Sequence, residues 1–326
     1  MNKIKKIQNI LITGGAGYIG SHITKMCINK GYNVVVLDNL INGHKDSIDK
    51  KAKFIQGDIE DSILISKIIK ENKIEAIFHF ASFIEAGESV KNPLKFYYNN
   101  TSKTIKFLNT LIKNNVNYFI FSSTAAIFGK AKYLPIDENH PKNPINPYGQ
   151  SKLMVEKILN EIKKTNKKFK YGCLRYFNVA GADYKNNLRE RHDPETHLIP
   201  LLLKFANKKI NNFYIFGNDY NTKDGTCIRD YIHVLDICDA HLKLLEYLEK
   251  DGEEREFNLG TGVGYSVLEI VKKMEKILNK KLNIQYKKRR EGDTANLIAN
   301  GNKAKKLLNW KSNNSGLKQI IESVLK

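Results

Sequence analysis

The sequence predicts a doubly wound α/β fold, in which helices cover both faces of a parallel sheet. Short runs rich in Ile, Val and Phe are continuously apolar rather than alternating, as expected for strands buried on both sides. Segments with the apolar spacing of helices separate these runs, which indicates repeated strand–helix–strand units. A glycine-rich turn directly after the first run agrees with this architecture.

The predicted elements follow one another closely in the first half of the chain. The predicted strands are residues 10–12, 34–37, 54–55, 76–80 and 119–121. Between them, helical spacing predicts helices such as 63–70 and 104–113.

After about Asn178 the pattern loosens into Asn-, Asp- and Gly-rich stretches, with single helices predicted at 234–248 and 267–278. We therefore predict a first domain over residues 1–178, to which a segment near 231–260 returns. A second, smaller α/β domain is predicted over residues 179–326.

The composition is that of a folded protein of one large or two medium domains. The formal net charge is +20, from 54 Lys and Arg against 34 Asp and Glu, but lysine is spread along the whole chain and indicates a solvated surface.

The four cysteines form no CxxC pair, which favours a reducing compartment. The sequence contains no run of 18 or more apolar residues, which is the length needed to span a membrane. We expect a cytoplasmic protein with no nucleic-acid or membrane partner.

A glycine-rich turn joins the first predicted strand to a helix. Gly15, Gly17 and Gly20 form a GxGxxG pattern, which allows close backbone approach and presents helix amides to a pyrophosphate. Asp38 ends the second predicted strand, where a carboxylate would accept hydrogen bonds from an adenosine ribose. No Arg or Lys lies between Asp38 and Lys45 to neutralise a 2′-phosphate. The first domain is therefore predicted to bind NAD, rather than NADP, as a Rossmann domain.

The ends of two further strands extend the predicted cofactor site, since ligands of open α/β sheets bind at the carboxyl edge. Asp58 and Ile59 follow the third predicted strand and would meet the adenine. Phe80 and Ala81 end the fourth strand at the same crevice.

A tyrosine and a lysine lie one turn apart near the start of a predicted helix. Tyr148 and Lys152 are at positions i and i+4, so they share a face. A nearby ammonium stabilises a phenolate, which makes tyrosine a usable base at neutral pH. Ser122 and Thr124 lie at the end of the fifth predicted strand, where a hydroxyl can share a proton with the tyrosine.

These motifs resemble the extended short-chain dehydrogenase/reductase superfamily and, within it, the nucleotide-sugar 4-epimerases. The resemblance covers nearly the whole chain, and its later stretches lie mostly outside the cofactor fold, as is typical of enzymes that act on nucleotide sugars. The stretches that carry it are residues 14–22, 38–39, 87–89, 98–100, 122–129, 146–149, 151–152, 174–178, 197–200, 224–234 and 289–293.

The resemblance implies reversible interconversion of UDP-glucose and UDP-galactose by a tightly held NAD that is reduced and reoxidised in one turnover. Tyr148 would take the proton of the sugar 4-hydroxyl as hydride leaves carbon 4. Thr124 would relay that proton, and Lys152 would bind the nicotinamide ribose and lower the pKa of Tyr148. The 4-keto sugar would then turn over and accept hydride on its other face.

The motifs and the resemblance together give two sets of binding residues. The cofactor set is Gly14, Gly17, Tyr18, Ile19, Gly20, Asp38, Asn39, Asp58, Ile59, Phe80, Ala81, Asn99, Ser122, Tyr148, Lys152 and Tyr176. The substrate set, for a UDP-sugar, is Thr124, Tyr148, Asn178, His197, Leu198, Phe216, Arg229, Arg290, Asp293 and Leu297. By resemblance, Leu198 and Phe216 would lie near the uracil and Asp293 at the uridine ribose. Arg229 and Arg290 would neutralise the diphosphate, which suits the planar guanidinium.

Three positions bear on how closely the chain follows the resembling family. Ile84 stands where some members have a lysine that contacts the pyrophosphate, and Ala126 stands where others have a hydroxyl. Neither departure removes a proton-transfer group. In the resembling family, a position at the spacing of Leu297 lines the pocket near the sugar 2-substituent. A tyrosine there leaves room for a hydroxyl, whereas a smaller residue can leave room for an N-acetyl group. We therefore expect a side activity on UDP-N-acetylglucosamine.

Other functions stay open on the sequence. A nucleotide-sugar dehydratase or reductase of the same superfamily would share Tyr148 and Lys152, although Ala125 and Ala126 supply no acid or base for dehydration. A NAD-bound regulator or an RNA-binding module that uses the positive charge is another class.

Two further expectations concern metals and partners. His192, Asp193, Glu195 and His197 are metal-ligating residue types, but they crowd one loop and hydride transfer needs no metal, so no metal is expected. A homodimer is implied by the resemblance, through the helices around 107–111 and 154–162.

Overall fold

The computed structural model describes residues 7–290 and 293–326. Glu291 and Gly292, which belong to the 289–293 stretch of the resemblance, lie outside the described residues. The strands are β1 (Asn9–Thr13), β2 (Asn33–Asp38), β3 (Lys53–Gln56), β4 (Ala76–His79), β5 (Tyr118–Thr124), β6 (Lys170–Tyr176), β7 (Asn178–Ala180), β8 (Tyr214–Phe216), β9 (Ile228–His233), β10 (Glu256–Leu259), β11 (Gly264–Ser266), β12 (Gln285–Lys287) and β13 (Asn296–Leu297).

Eleven α-helices lie between and after these strands in the described residues. They are α1 (Tyr18–Asn29), α2 (Ser62–Asn72), α3 (Ala86–Lys91), α4 (Pro93–Phe96), α5 (Lys103–Lys113), α6 (Pro147–Thr165), α7 (Leu198–Ala206), α8 (Val234–Glu249), α9 (Val267–Leu278), α10 (Asn302–Leu307) and α11 (Leu317–Leu325). A π-helical turn, Tyr97–Ser102, joins α4 to α5.

The main sheet has, within the described residues, seven parallel strands in the order β10-β6-β5-β4-β1-β2-β3. Because the chain winds outward from β1 in both directions, the strand order reverses between β1 and β4, and ligands of such sheets bind at that point. The predicted doubly wound fold is confirmed.

Two helical layers bury the two faces of this sheet. On one face, α1 and α8 pack against side chains such as Ile10, Ile12 and Val36. On the other face, α2, α5 and α6 pack against side chains such as Leu11 and Phe119. Strands covered on both faces need apolar side chains in both directions, which explains their continuous apolar runs.

The later part of the chain returns to the main sheet. The helix α8 packs against α1, and β10 pairs in parallel with β6 at the edge of the sheet. Both α8 and β10 lie in the segment near 231–260 that was predicted from the sequence to return to the first domain. The division at residue 178 stays a prediction.

A smaller α/β unit follows the main sheet. The strands β7, β9, β11 and β13 form one small sheet, and β8 pairs with β12. The helices α7, α9 and α11 pack with β8 and β9 around a second core. Because β7 follows β6 after one residue and pairs with β9, this unit lies beside the carboxyl end of the main sheet.

The four cysteines, all in the described part of the chain, are buried and free. Across residues 7–290 and 293–326, we find no helix with the length and apolar character needed to cross a bilayer.

Candidate active site

The glycine-rich turn places backbone amides at the end of β1. Gly14 has a φ of +72°, in the region that favours glycine, and a Cβ on Gly20 would overlap the carbonyl oxygen of Gly14. Both glycines are therefore needed for the turn to close and for α1 to begin at Tyr18. The first residues of α1 line a cleft, where helix amides favour a pyrophosphate.

Asp38 ends β2 beside this turn and is almost fully buried. Its Oδ2 accepts a hydrogen bond from the Ala16 amide at 2.9 Å, and its Oδ1 accepts one from the Leu40 amide at 2.8 Å. Burial raises the pKa of Asp38, and the two hydrogen bonds act in the opposite direction. Each carboxylate oxygen keeps a further lone pair for a ribose hydroxyl.

One cleft runs along the carboxyl ends of the main-sheet strands. Its empty volume, including solvent at its mouth, is about 1550 Å³. All predicted cofactor residues except Lys152 line it, and so does Ile84. Gly20 has no side chain, so the backbone can approach a dinucleotide closely at this turn. The carboxylate of Asp38 fits a ribose that keeps both of its hydroxyls.

Tyr148 is held in this cleft by the start of α6. Asn146 caps the helix by accepting a hydrogen bond from the Gly149 amide at 2.8 Å, and Pro147 suits the first helical position. Burial raises the pKa of Tyr148 to about 12, while a side-chain hydrogen bond with Thr124 lowers it. Thr124 ends β5 and lines the same cleft. Positive charge beside the phenol is therefore needed before Tyr148 can act as a base at neutral pH.

Lys152 lies one turn further along α6 and is 2% exposed. Its Nζ donates hydrogen bonds to Ser82 Oγ at 2.8 Å and to the Ser122 carbonyl at 2.9 Å, and both residues line the cleft. Burial lowers the pKa of Lys152 to about 7. The sequence predicted that Lys152 lowers the pKa of Tyr148, but in this structure burial raises that pKa and the opposing contribution comes from the hydrogen bond with Thr124. Because opposite charges stabilise each other, ionisation of Tyr148 would favour the protonated form of Lys152.

A buried ion pair joins α6 to the strands that carry the site. Glu156 accepts hydrogen bonds from Arg175 Nε at 3.0 Å, from Arg175 Nη2 at 2.8 Å and from Ser123 Oγ at 2.6 Å. Arg175 lies on β6, and Ser123 precedes Thr124 on β5. The pair therefore holds α6 in place against the strand that ends at Thr124.

We expect Glu156→Ala to lower the free energy of unfolding by about 3–5 kcal/mol, since it leaves a buried guanidinium without its carboxylate. Urea denaturation followed by circular dichroism measures this. Glu161→Ala is the control on the same helix, because Glu161 pairs with Lys164 on the surface and its loss costs less than about 1 kcal/mol. Similar losses for the two variants would contradict the prediction.

The residues predicted to bind UDP form two pairs beside the small sheet. The Arg290 guanidinium lies 4.0 Å from the centre of the Phe216 ring, and Arg229 Nη2 lies 3.5 Å from Asp293 Oδ1. Arg229 Nη1 also donates to the Thr294 carbonyl at 2.7 Å. None of the four predicted residues is among the described residues that line the cleft.

The other predicted substrate residues fall into two groups. Asn178 and His197 line the cleft, together with Phe177. Leu297 lies opposite Arg229 in the pairing of β13 with β9, and it packs in the cluster that contains Phe177. Leu297 thus packs against a cluster that reaches the cleft at Phe177, but it is not itself among the described residues that line the cleft. Leu198 begins α7 and packs against the core of the smaller unit.

The sequence did not predict that Glu190 and His192 line the cleft. His197 Nδ1 lies 2.9 Å from Glu190 Oε1 and 3.0 Å from Glu195 Oε1. Although burial lowers the pKa of His197, these two carboxylates raise it to about 10. The sequence does show that histidine and acidic residues are crowded in this segment. It does not show that their side chains line the cleft.

The fold and this site define an NAD-binding α/β enzyme of the short-chain dehydrogenase/reductase type, with a tyrosine and a lysine of one helix, α6, beside the carboxyl ends of the strands. Residues 10–260 match the profile of the NAD dependent epimerase/dehydratase family. The chain belongs to this family.

Relatives with assigned activities cover nearly the whole chain. The chain is 47% identical to the UDP-glucose 4-epimerase of Lactobacillus helveticus over 98% of its own length and 96% of that protein. Its structure is similar to that of a UDP-glucose 4-epimerase from Brucella ovis in complex with NAD, with a TM-score of 0.93, 40% identity and 97% of each chain covered. It is also similar to the UDP-Glc/GlcNAc 4-epimerase from Campylobacter jejuni, with a TM-score of 0.84, 43% identity and 97% of each chain covered.

Proposed function

We propose that this protein catalyses the reversible 4-epimerisation of UDP-glucose and UDP-galactose with bound NAD. The observation that supports the proposal is that one cleft contains both a cofactor site and a proton-transfer site. The glycine turn and Asp38 line the cofactor site, and Tyr148 and Thr124 line the proton-transfer site. Lys152 is buried beside the cleft. The names of the full-length relatives support the same activity. The four free cysteines are in keeping with the cytoplasm as its location.

The residues of this chain divide the chemistry between binding and proton transfer. NAD, when bound, supplies a hydride acceptor for carbon 4 and returns the hydride. The phenolate of Tyr148 takes the proton of the 4-hydroxyl, and the Thr124 hydroxyl beside it relays that proton. Lys152 hydrogen-bonds two cleft residues and favours the phenolate when protonated. The 4-keto sugar would then turn over so that carbon 4 accepts the hydride on its other face, while Tyr148 returns the proton to the 4-oxygen and so completes epimerisation.

Substrate recognition would fall to the residues beside the small sheet. The Phe216 ring offers a stacking surface for uracil, and the two arginines offer charge for a diphosphate. In the present structure Arg229 pairs with Asp293 and Arg290 covers Phe216. Binding of UDP would therefore exchange these protein contacts for contacts with the ligand.

A direct experiment tests the proposed function. The purified protein is treated with acid to release bound nucleotide, which is identified by chromatography, and untreated protein is assayed for conversion of UDP-galactose to UDP-glucose without added cofactor. Release of NAD together with conversion supports the proposal. Consumption of the sugar nucleotide without formation of the 4-epimer would instead indicate a dehydratase or reductase.

We expect the enzyme also to epimerise UDP-N-acetylglucosamine, and Leu297→Tyr to suppress that activity. A larger side chain in a packed pocket costs about 1–3 kcal/mol, equivalent to a 10- to 100-fold loss for the bulkier substrate. The dual specificity in the name of the Campylobacter jejuni relative supports this expectation. Rates on both sugars are compared for wild type, Leu297→Tyr and the volume-conserving control Leu297→Met. An equal effect of the tyrosine on both sugars would exclude Leu297 as the determinant.

We propose a homodimer formed by the outer face of α4, α5 and α6. Phe107 and Leu111, in the segment first expected to face the partner, are buried in the core of the main domain instead. The apolar side chains exposed nearby are Leu94, Tyr98, Ile105 and Met154. The first three are spaced by four and seven residues along a nearly continuous helical segment, so they lie on one side of it. A second copy of the chain would cover this stripe.

We expect Leu94→Glu to convert the dimer to a monomer, because Leu94 is 80% exposed at the start of the stripe and a buried carboxylate there would lack a partner. Sedimentation velocity measures the change in mass. Leu307→Glu is the control, since Leu307 is an exposed leucine on α10, on the opposite face of the main sheet. A wild-type monomer would refute the dimer, and a dimer that survives Leu94→Glu would refute this face.

A further inference from the structure

Two histidines and two glutamates meet at the edge of the cleft. They are Glu190, His192, Glu195 and His197, and among the described residues each offers one ligand atom within 4.8 Å of the other three. From the sequence we expected no metal at His192, Asp193, Glu195 and His197, but the fold brings Glu190 to this group in place of Asp193. Three of the four side chains are at least four-fifths buried, and His197 is 39% exposed and gives access from solvent.

The spacing of the ligand atoms is that of a small, four-coordinate site. Nδ1 of His192 lies 3.2 Å from Glu190 Oε1, and Nδ1 of His197 lies 2.9 Å from the same oxygen and 3.0 Å from Glu195 Oε1. Ligands bound tetrahedrally to Zn²⁺ at about 2.0–2.2 Å are roughly 3.3–3.6 Å apart. Because the four ligand atoms lie within 4.8 Å of one another, shifts of up to about 1 Å would bring them to this spacing.

The orientation of His192 separates this cluster from an ordinary hydrogen-bonded network. Its Nδ1 is buried and has no hydrogen-bond partner among the described residues, although it lies 3.2 Å from a Glu190 oxygen. A buried nitrogen without a partner is costly in a folded protein. Because this nitrogen faces a carboxylate oxygen at 3.2 Å, both atoms are placed to bind one cation.

We propose that these four residues bind one Zn²⁺ ion at the edge of the cleft. Two imidazole nitrogens and two carboxylate oxygens suit Zn²⁺ better than Mg²⁺ or Ca²⁺, which prefer oxygen ligands alone. The two carboxylates balance the charge of the ion, which takes the place of the proton that His197 shares with them. His197 also belongs to the predicted UDP-sugar set, so the two roles would share one side chain. Zn²⁺ binding measured directly can nevertheless fail without failure of the epimerase activity, and the reverse.

The ion would fasten a loop that crosses from the smaller unit to the main domain. Within this loop, Arg191 pairs with Asp46 at 2.9 Å, and the Arg191 carbonyl is hydrogen-bonded by His44 Nε2 at 2.8 Å. Glu190, His192 and His197 line the cleft from the same loop. Zn²⁺ would therefore hold the loop closed over the cleft and slow the release of a ligand inside it.

The experiment titrates the purified holoenzyme, after dialysis against a chelator, with Zn²⁺ in a calorimeter. We expect one ion per chain with a Kd below about 1 µM. His192→Ala and Glu195→Gln should each weaken binding at least about 100-fold, since loss of an outer partner alone costs 10- to 100-fold. His44→Ala is the matched control, because it alters the same loop without removing a ligand, and it should bind Zn²⁺ like wild type.

A second measurement distinguishes loss of a ligand from loss of structure. Co²⁺ bound in place of Zn²⁺ should give the visible absorption of a tetrahedral complex in wild type and in His44→Ala, and not in His192→Gln, whose fold is checked by circular dichroism. Saturating Zn²⁺ should also slow NAD release at least about tenfold, equivalent to ~1.4 kcal/mol. Absence of binding, equal binding by the ligand variants, or unchanged NAD release would each overturn the proposal.

Discussion

Tyr148→Phe is expected to lose at least about 100-fold in turnover of UDP-galactose while keeping its fold and its bound NAD. The loss corresponds to removal of a general base, which contributes about 10²–10⁴-fold to a rate. Tyr148 is half-buried in the cleft that Thr124 also lines, and phenylalanine fills the same space without the hydroxyl. Initial rates, acid-released NAD and circular dichroism are measured on the same preparation.

The control for this variant is Tyr171→Phe. Tyr171 is a fully buried tyrosine whose hydroxyl has no hydrogen-bond partner among the described residues, and it lies five residues before the end of β6. Its replacement should leave turnover within about twofold of wild type. Near-normal activity of Tyr148→Phe would remove Tyr148 from the mechanism, whatever the control shows.

The second large effect concerns the choice of cofactor: protein stripped of nucleotide should bind NADP at least about 100-fold more weakly than NAD. A 2′-phosphate would face the carboxylate of Asp38, and two like charges about 4 Å apart repel by about 4 kcal/mol at an effective dielectric constant of 20. Fluorescence titration with the two nucleotides gives the ratio of their dissociation constants.

Asp38→Asn should narrow that ratio at least about tenfold, since it removes the charge and keeps the shape. Asp46→Asn is the control, because Asp46 pairs with Arg191 at the surface and is outside the described lining of the cleft. If wild type binds both nucleotides equally well, Asp38 does not select the cofactor.

The parts of the site that depend on local sequence could be predicted from it. The turn from Gly14 to Gly20 needs glycine because of its own backbone geometry, and Tyr148 and Lys152 share a face because a helix repeats every 3.6 residues. Asp38 could be placed because it ends a strand of the sheet whose carboxyl edge binds ligands. Apolar runs alternating with helical spacing were sufficient for the fold class.

Other features of the site were decided by the tertiary structure alone, because they depend on contacts between distant parts of the chain. The pKa of Lys152 falls to about 7 because α6 is buried against the sheet, which spacing along a helix does not reveal. Arg229 faces Asp293 because β9 pairs with β13, and Glu190 joins His192 and His197 because one loop closes over the cleft. Periodicity is a local property of the chain, whereas burial and the pairing of charges arise only when separate segments pack together.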